Sequence, residues 1–324
     1  MKLVNTRWLT AACTIILAAL STAFAVAPAS ADPTADPSAE PRHSFAEYQG
    51  IPISIYEYGP SADQAPTIVT TGGWPGDSSI FEVASRKLAA KYHVVRYDHR
   101  GAGLSGHDTN DELNSLANLA GEFGAVIDKT APGHAVHTFT IGWGSYITAE
   151  YAHRYPGRIA SLSSIGAPSL DLEHYAVLES GRDPAQFVAM MPELSYFAAM
   201  TTPALPEFWA GSGVDLAAFN AAIALIGDPP IHLTNADLVS GVSIYRANMP
   251  TRLATAPEYD YLAVPVLQVF QSNADGPYLI TGLAKHTNNL WLTGIQGSHA
   301  DFGRTSWPLI DAELDKAIAA TEHQ

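Results

Sequence analysis

The chain has 324 residues, a single cysteine, and 32 acidic against 17 basic side chains, for a formal charge of -15 at pH 7. So acidic a surface repels phosphate backbones and anionic lipid heads, which argues against nucleic acid as a partner. One cysteine forms no disulfide framework, so stability must come from a core, and the length suffices for one large α/β domain with an insertion.

Residues 1–31 open with Lys2 and Arg7, continue as an apolar run over 8–26 and close on Ala29-Ser30-Ala31. That order is a secretory signal peptide, which predicts a secreted protein with no membrane attachment after cleavage. The apolar run is also long enough for an uncleaved anchor. Asp32-Pro33 directly after the small residues favours cleavage. Residues 32–43, with Pro33, Pro37 and Pro41 among Asp, Ala and Ser, read as a disordered linker.

Two aromatic and β-branched runs follow, 45–48 and 51–58, separated by Gln49-Gly50, and predict an antiparallel hairpin. From there strands and helices alternate. Strands are expected at 66–72, 92–97, 135–141 and 159–165, with helices at 78–91, 111–129 and 143–155 between them. This alternation predicts right-handed βαβ units, a mostly parallel twisted sheet with helices on both faces, and a ligand site beyond the carboxyl ends of the strands. It stops at Gly166-Ala167-Pro168. The stretch 169–262 is rich in Ala, Leu, Pro and aromatic residues at helical spacing and reads as an inserted α-helical lid. Residues 263–324 resume the pattern, with strands at 264–270 and 290–294 and helices near 278–285 and 307–320. Core segments 44–168 and 263–324 thus bracket the lid.

Four segments, in order along the chain, resemble the α/β-hydrolase superfamily, and within it the epoxide-hydrolase-like proteins. The first is Thr70-Thr71-Gly72-Gly73-Trp74-Pro75-Gly76, similar to the family's His-Gly-x-Pro loop, with Gly72 where the histidine stands. The resemblance implies that the backbone N–H of Trp74 serves an oxyanion hole, as rigid backbone donors suit that work. The second, Asp98-His99-Arg100-Gly101-Ala102-Gly103-Leu104-Ser105, looks like the Asp-x-Arg-Gly-x-Gly-x-Ser loop and implies structural ion pairs.

The third, Thr140-Ile141-Gly142-Trp143-Gly144, lies on the nucleophile elbow, which is Gly-His-Asp-Trp-Gly in epoxide hydrolases and Gly-x-Ser-x-Gly in ester-cleaving relatives. The alignment puts Gly142 on the nucleophile and Trp143 on the second oxyanion donor. Glycine has no side chain to attack with, so the nucleophile position is vacant. Ser145 is the nearest hydroxyl, three residues on, where a capping or packing role is expected.

The fourth comprises two loops after the last strands. Asp275 lies in a loop resembling that of the family's acid, within a residue of register, and His299 in one resembling that of its histidine. Together they imply a general base pair. In the lid, Tyr245 in Ser243-Ile244-Tyr245-Arg246-Ala247-Asn248 and Tyr196 in Leu194-Ser195-Tyr196-Phe197 resemble the two phenols that act as acids on an epoxide oxygen. Either can equally be a core tyrosine with a satisfied hydroxyl. The other histidines show no metal-ligand spacing, and neither a metal nor a cofactor is expected.

Three functions fit these residues. One is a hydrolase acting on a small apolar substrate without a covalent intermediate. Another is a lyase, isomerase or cyclase using the same base. The third is an inactive pocket that only binds a small molecule.

Overall fold

The computed structural model describes residues 40–74, 76–108, 110–212, 234–255, 258–259, 261–271, 283, 285–287, 289–295, 302–304 and 306–321. Eight strands form one sheet in the order β1-β2-β4-β3-β5-β6-β7-β8. They are β1 (Arg42–Tyr48), β2 (Ile51–Tyr58), β3 (Thr67–Thr70), β4 (His93–Tyr97), β5 (Val136–Ile141), β6 (Ile159–Ile165), β7 (Val266–Gln271) and β8 (Leu290–Ile295). The hairpin β1–β2 is antiparallel and β2 pairs antiparallel with β4. All other pairings are parallel. Gln49 and Gly50 both take positive φ (55° and 79°), the two-residue turn whose twist matches that of the flanking strands. Strand β1 begins at Arg42, so the sheet starts inside the stretch expected to be linker.

The helices covering the sheet are α1 (Glu82–Leu88), α2 (Leu116–Thr130), α3 (Trp143–Arg154) and α8 (Trp307–Ala319). Two expected helices open instead as 3-10 turns, Ser78–Phe81 and Asp111–Asn114. Asp77 and Asn110 each accept a backbone N–H two residues on, which holds those tighter turns. Successive strand residues face opposite sides, as the pleat requires. Val69 and Val95 join one core with Phe123, Ile147 and Tyr151, while Ile68 and Val94 join the other with Phe81, Phe139, Trp307 and Ile310.

Four described helices lie between β6 and β7: α4 (Leu170–Ser180), α5 (Pro184–Thr201), α6 (Leu205–Ser212) and α7 (Asn235–Ala254). Helix α7 is fastened to the core along its length. At its start Asp237 caps the helix with Thr234 and also pairs with His107, and the Ser240 hydroxyl donates to Asp108 O at 2.8 Å. Mid-helix, the buried Asn248 accepts from Leu116 N at 2.8 Å and donates to Asn114 O at 2.9 Å. Near its end Arg252 reaches Glu150 on α3 and Asp171 on α4, at 2.8 and 2.9 Å.

The Asp98 loop carries the structural role expected of it. The Arg100 and Glu122 side chains are fully buried, and the guanidinium meets the carboxylate at 2.8 Å. Burial pushes the Glu122 carboxyl up while Arg100 pulls it down. Asp98 accepts the backbone N–H of Ser78 at 2.9 Å and of Leu104 at 3.2 Å. Gly103 is required there, because a Cβ would stand 2.3 Å from an Asp98 oxygen. Among the described residues no helix is long and apolar enough to cross a membrane.

Candidate active site

The chain order reverses at β3, which has β4 on one side and β5 on the other, so the loops leaving β3 and β5 flank a topological switch point. Strand β5 is buried throughout and ends at Ile141. Gly142 then takes φ 54° and ψ -124°, and α3 begins at Trp143. That is a sharp strand-to-helix elbow in a backbone region disfavoured for L side chains. Close backbone packing favours glycine beside it. A Cβ on Gly144 would lie 2.5 Å from Thr71 O, and one on Gly73 would lie 3.1 Å from Trp143 N.

Gly142 itself is not crowded. A Cβ built on it would meet, among the described residues, only the Cα of Gly73, at 3.8 Å. The first turn of α3 leaves backbone donors without intrahelical acceptors, and within the turn Gly142 O receives the N–H of Ser145 and Tyr146 while nothing described accepts from Trp143 N. Ser145 is committed elsewhere. It is buried, with its hydroxyl 3.1 Å from that of Thr140 and 2.9 Å from that of Ser164, so it packs inside the elbow rather than facing the site.

Aromatic rings gather over this turn. The Tyr245 ring stands edge-on to Trp143, with centroids 5.0 Å apart, and edge-on to Trp74, at 5.5 Å. Phe197 of α5 approaches Tyr245 at 6.4 Å. Gly241 lies one turn before Tyr245 on α7, and a Cβ there would fall 1.7 Å from Trp74 Cδ1. The helix therefore presents a bare backbone patch on which the indole rests. The structure thus brings together Gly142, Trp74, Trp143 and Tyr245. Tyr196 lies on α5, and its side chain falls outside the described set.

Asp275 and His299 both lie outside the described residues. The strands preceding them are described. β7 ends at Gln271 and β8 at Ile295, paired in register at the same carboxyl edge as the end of β5.

Sequence reasoning missed one pair beside the elbow. Tyr146, on the first turn of α3, packs edge-on against Trp143 at 5.3 Å and donates its hydroxyl to the buried Glu173 of α4. The run Leu170-Asp171-Leu172-Glu173-His174-Tyr175 just past a core strand holds two acids and a histidine, and nothing in it singles out Glu173 as the buried partner. Among the described residues no group of three His, Cys, Asp or Glu side chains is placed to hold a metal ion.

Residues 66–193 match the family described as alpha/beta hydrolase fold. The Mycobacterium tuberculosis protein named "Probable oxidoreductase EphD" is 28% identical over 285 residues, covering 81% of this chain and 47% of that protein. The chain therefore spans about half the length of the curated relatives it matches. Among solved structures, an epoxide hydrolase from Bacillus megaterium, in complex with a naphthyloxy-propanediol product, superposes with a TM-score of 0.66 at 16% identity. The match covers 87% of this chain and 100% of that one. Epoxide hydrolase VrEH1 from Vigna radiata gives 0.66 at 17% identity, covering 86% and 98%.

Proposed function

We propose that this chain, which has the α/β-hydrolase fold and superposes on epoxide hydrolases, is a secreted enzyme acting on a small apolar substrate without a covalent nucleophile. The observation that carries this reading is the elbow itself: its positive-φ turn and open space are kept at Gly142 although no side chain uses them. Gly142 then leaves room for a water molecule where the family's nucleophile would stand. His299, oriented by Asp275, takes a proton from that water, and the oxygen attacks an electrophilic carbon of the substrate. The carbon–oxygen bond to the leaving oxygen breaks, and the phenol of Tyr245 or of Tyr196 donates a proton to that oxygen. The N–H groups of Trp74 and Trp143 hold developing negative charge. The aromatic wall of the site suits an apolar molecule.

The same vacancy favours a second reading, in which base and phenols catalyse an elimination, isomerisation or cyclisation that needs no nucleophile. In a third the pocket binds a small molecule and does no chemistry. His299→Ala tests all three. Under the first two it lowers turnover by about 10²–10⁴-fold and leaves ligand affinity nearly unchanged. Undiminished turnover overturns the base role. A wild-type protein that turns over no epoxide, ester or isomerisable ligand, yet binds one equally well after the substitution, selects the third.

A further inference from the structure

Gly241 stands in the interior of a 20-residue helix. Glycine loses more backbone entropy there than any other residue, and alanine in its place would favour the helix. The helix gains nothing from it, but the Trp74 indole does. A Cβ on Gly241 would lie 1.7 Å from Cδ1 and 2.2 Å from Nε1 of that ring. One turn further along α7, the buried Tyr245 stands edge-on to the same indole at 5.5 Å and is itself held edge-on to Trp143 at 5.0 Å. The indole is thus bracketed by a bare backbone and a buried ring of one helix.

The backbone end of Trp74 is confined as closely. Its neighbour Gly73 lies against the elbow, where a Cβ would stand 3.1 Å from Trp143 N and 3.5 Å from Gly142 Cα. Residue 74 therefore works as a strut, its backbone set by the elbow side and its side chain seated on α7. The seat is firm, because α7 is tied to the core by Asp237 with His107, by Ser240 with Asp108, and by Asn248 with Leu116 and Asn114.

We propose that Gly241 is a positioning residue. By admitting the indole to the backbone of α7 it fixes where the Trp74 N–H stands relative to that of Trp143, and so fixes the spacing of the two donors beside Gly142. Its effect on turnover rests on the reading in which those N–H groups hold developing negative charge. Such donors act only if aimed before the charge appears, and a misplacement of about 1 Å costs on the order of 10²-fold in rate.

The experiment compares crystal structures of the full chain with and without Gly241→Ala, and measures turnover of p-nitrostyrene oxide by Gly241→Ala, Trp74→Ala and the double variant. An alanine methyl forces the indole to retreat by roughly 2 Å to reach ordinary carbon–carbon separation, while α7 itself remains a good helix. Trp74 N should move by about 1 Å relative to Trp143 N, and kcat should fall about 10²-fold with KM changed by less than about threefold. In the Trp74→Ala background, which keeps the N–H and removes the ring, Gly241→Ala should cost less than about threefold, because neighbouring substitutions that act through one contact are not additive. The melting temperature should fall on Gly241→Ala in the wild type and rise in the Trp74→Ala background, where only helix propensity is left. Trp74 N unmoved in Gly241→Ala, with the ring merely turned aside, overturns the proposal, as do equal losses of turnover in the two backgrounds. The displacement is read whether or not the epoxide is turned over. Trp74 N displaced with kcat unchanged refutes the charge-stabilising role of that N–H and leaves the positioning by Gly241 standing.

Discussion

The Cα of Gly73 lies 3.8 Å from the point where a side chain on Gly142 would begin, an ordinary van der Waals contact. The loop after β3 therefore packs against the elbow without closing it. Among the described residues, what opposes a side chain at Gly142 is the backbone angle rather than crowding: φ 54° costs an L residue about 1–3 kcal/mol. Gly142→Ser and Gly142→Asp should both fold, with melting temperatures lowered by roughly 2–4 °C per kcal/mol of that strain. Gly142→Ser should gain ester hydrolysis and Gly142→Asp epoxide hydrolysis, read with chromogenic esters and epoxides. Folded variants with neither activity would mean that the donors and base are not aimed at this point.

Tyr245 separates packing from chemistry. Tyr245→Phe keeps both edge-on contacts to Trp74 and Trp143 and removes only the phenol. It should cost about 10²-fold or more in turnover if the phenol is the acid, with the melting temperature shifted by no more than a few degrees. Tyr245→Ala empties a buried aromatic site and should cost about 3–5 kcal/mol of stability in denaturant titrations. Full turnover in the phenylalanine variant would assign Tyr245 to packing alone.

His137, in the middle of β5, is buried with its Nδ1 2.8 Å from the Ser161 hydroxyl, and burial pushes its pKa down from 6.5 to about 4. In the unfolded chain it titrates near 6.5, so between pH 6.5 and 4 the unfolded state binds more protons. Stability should therefore fall as pH drops through that window, by about 3 kcal/mol in total from this residue, and level off below it. His137→Gln should flatten that portion of the profile in urea titrations at pH 7 and pH 4.5. An unchanged slope would place the acid sensitivity on other groups.

The sheet was legible because each core strand is a short apolar run bounded by turn residues, and the spacing of helices between them dictates parallel pairing. The hairpin was legible in Gln49-Gly50, where two consecutive positive φ angles are needed. Local chemistry misled at the helix starts, where Asp77 and Asn110 draw backbone N–H groups into 3-10 turns that helical periodicity cannot distinguish from α. The start of β1 was hidden by Pro41, which belongs by composition to the preceding linker although the next residue already pairs with Glu57. In the site, the elbow and its two tryptophans were readable because they are local. The partners Glu122, Glu173 and Gly241 were not, since each meets its contact across 22 or more residues, and only tertiary packing brings them together. A lone acid on the apolar face of α2 was the one hint that Arg100 would find its counter-ion there.

The fastening of α7 divides the labour of admitting a ligand. A beam supported at both ends and bolted at mid-span moves only if several buried polar groups are exposed at once, each at a cost of about 1–3 kcal/mol. Tyr245 rides on that beam, so its position over the elbow is the fixed reference of the roof. Helix α5 has Phe187, Val188 and Met191 exposed along one side. A ligand over Gly142 is therefore accommodated beneath Tyr245 as it stands, since displacing that ring means unfastening the helix that carries it.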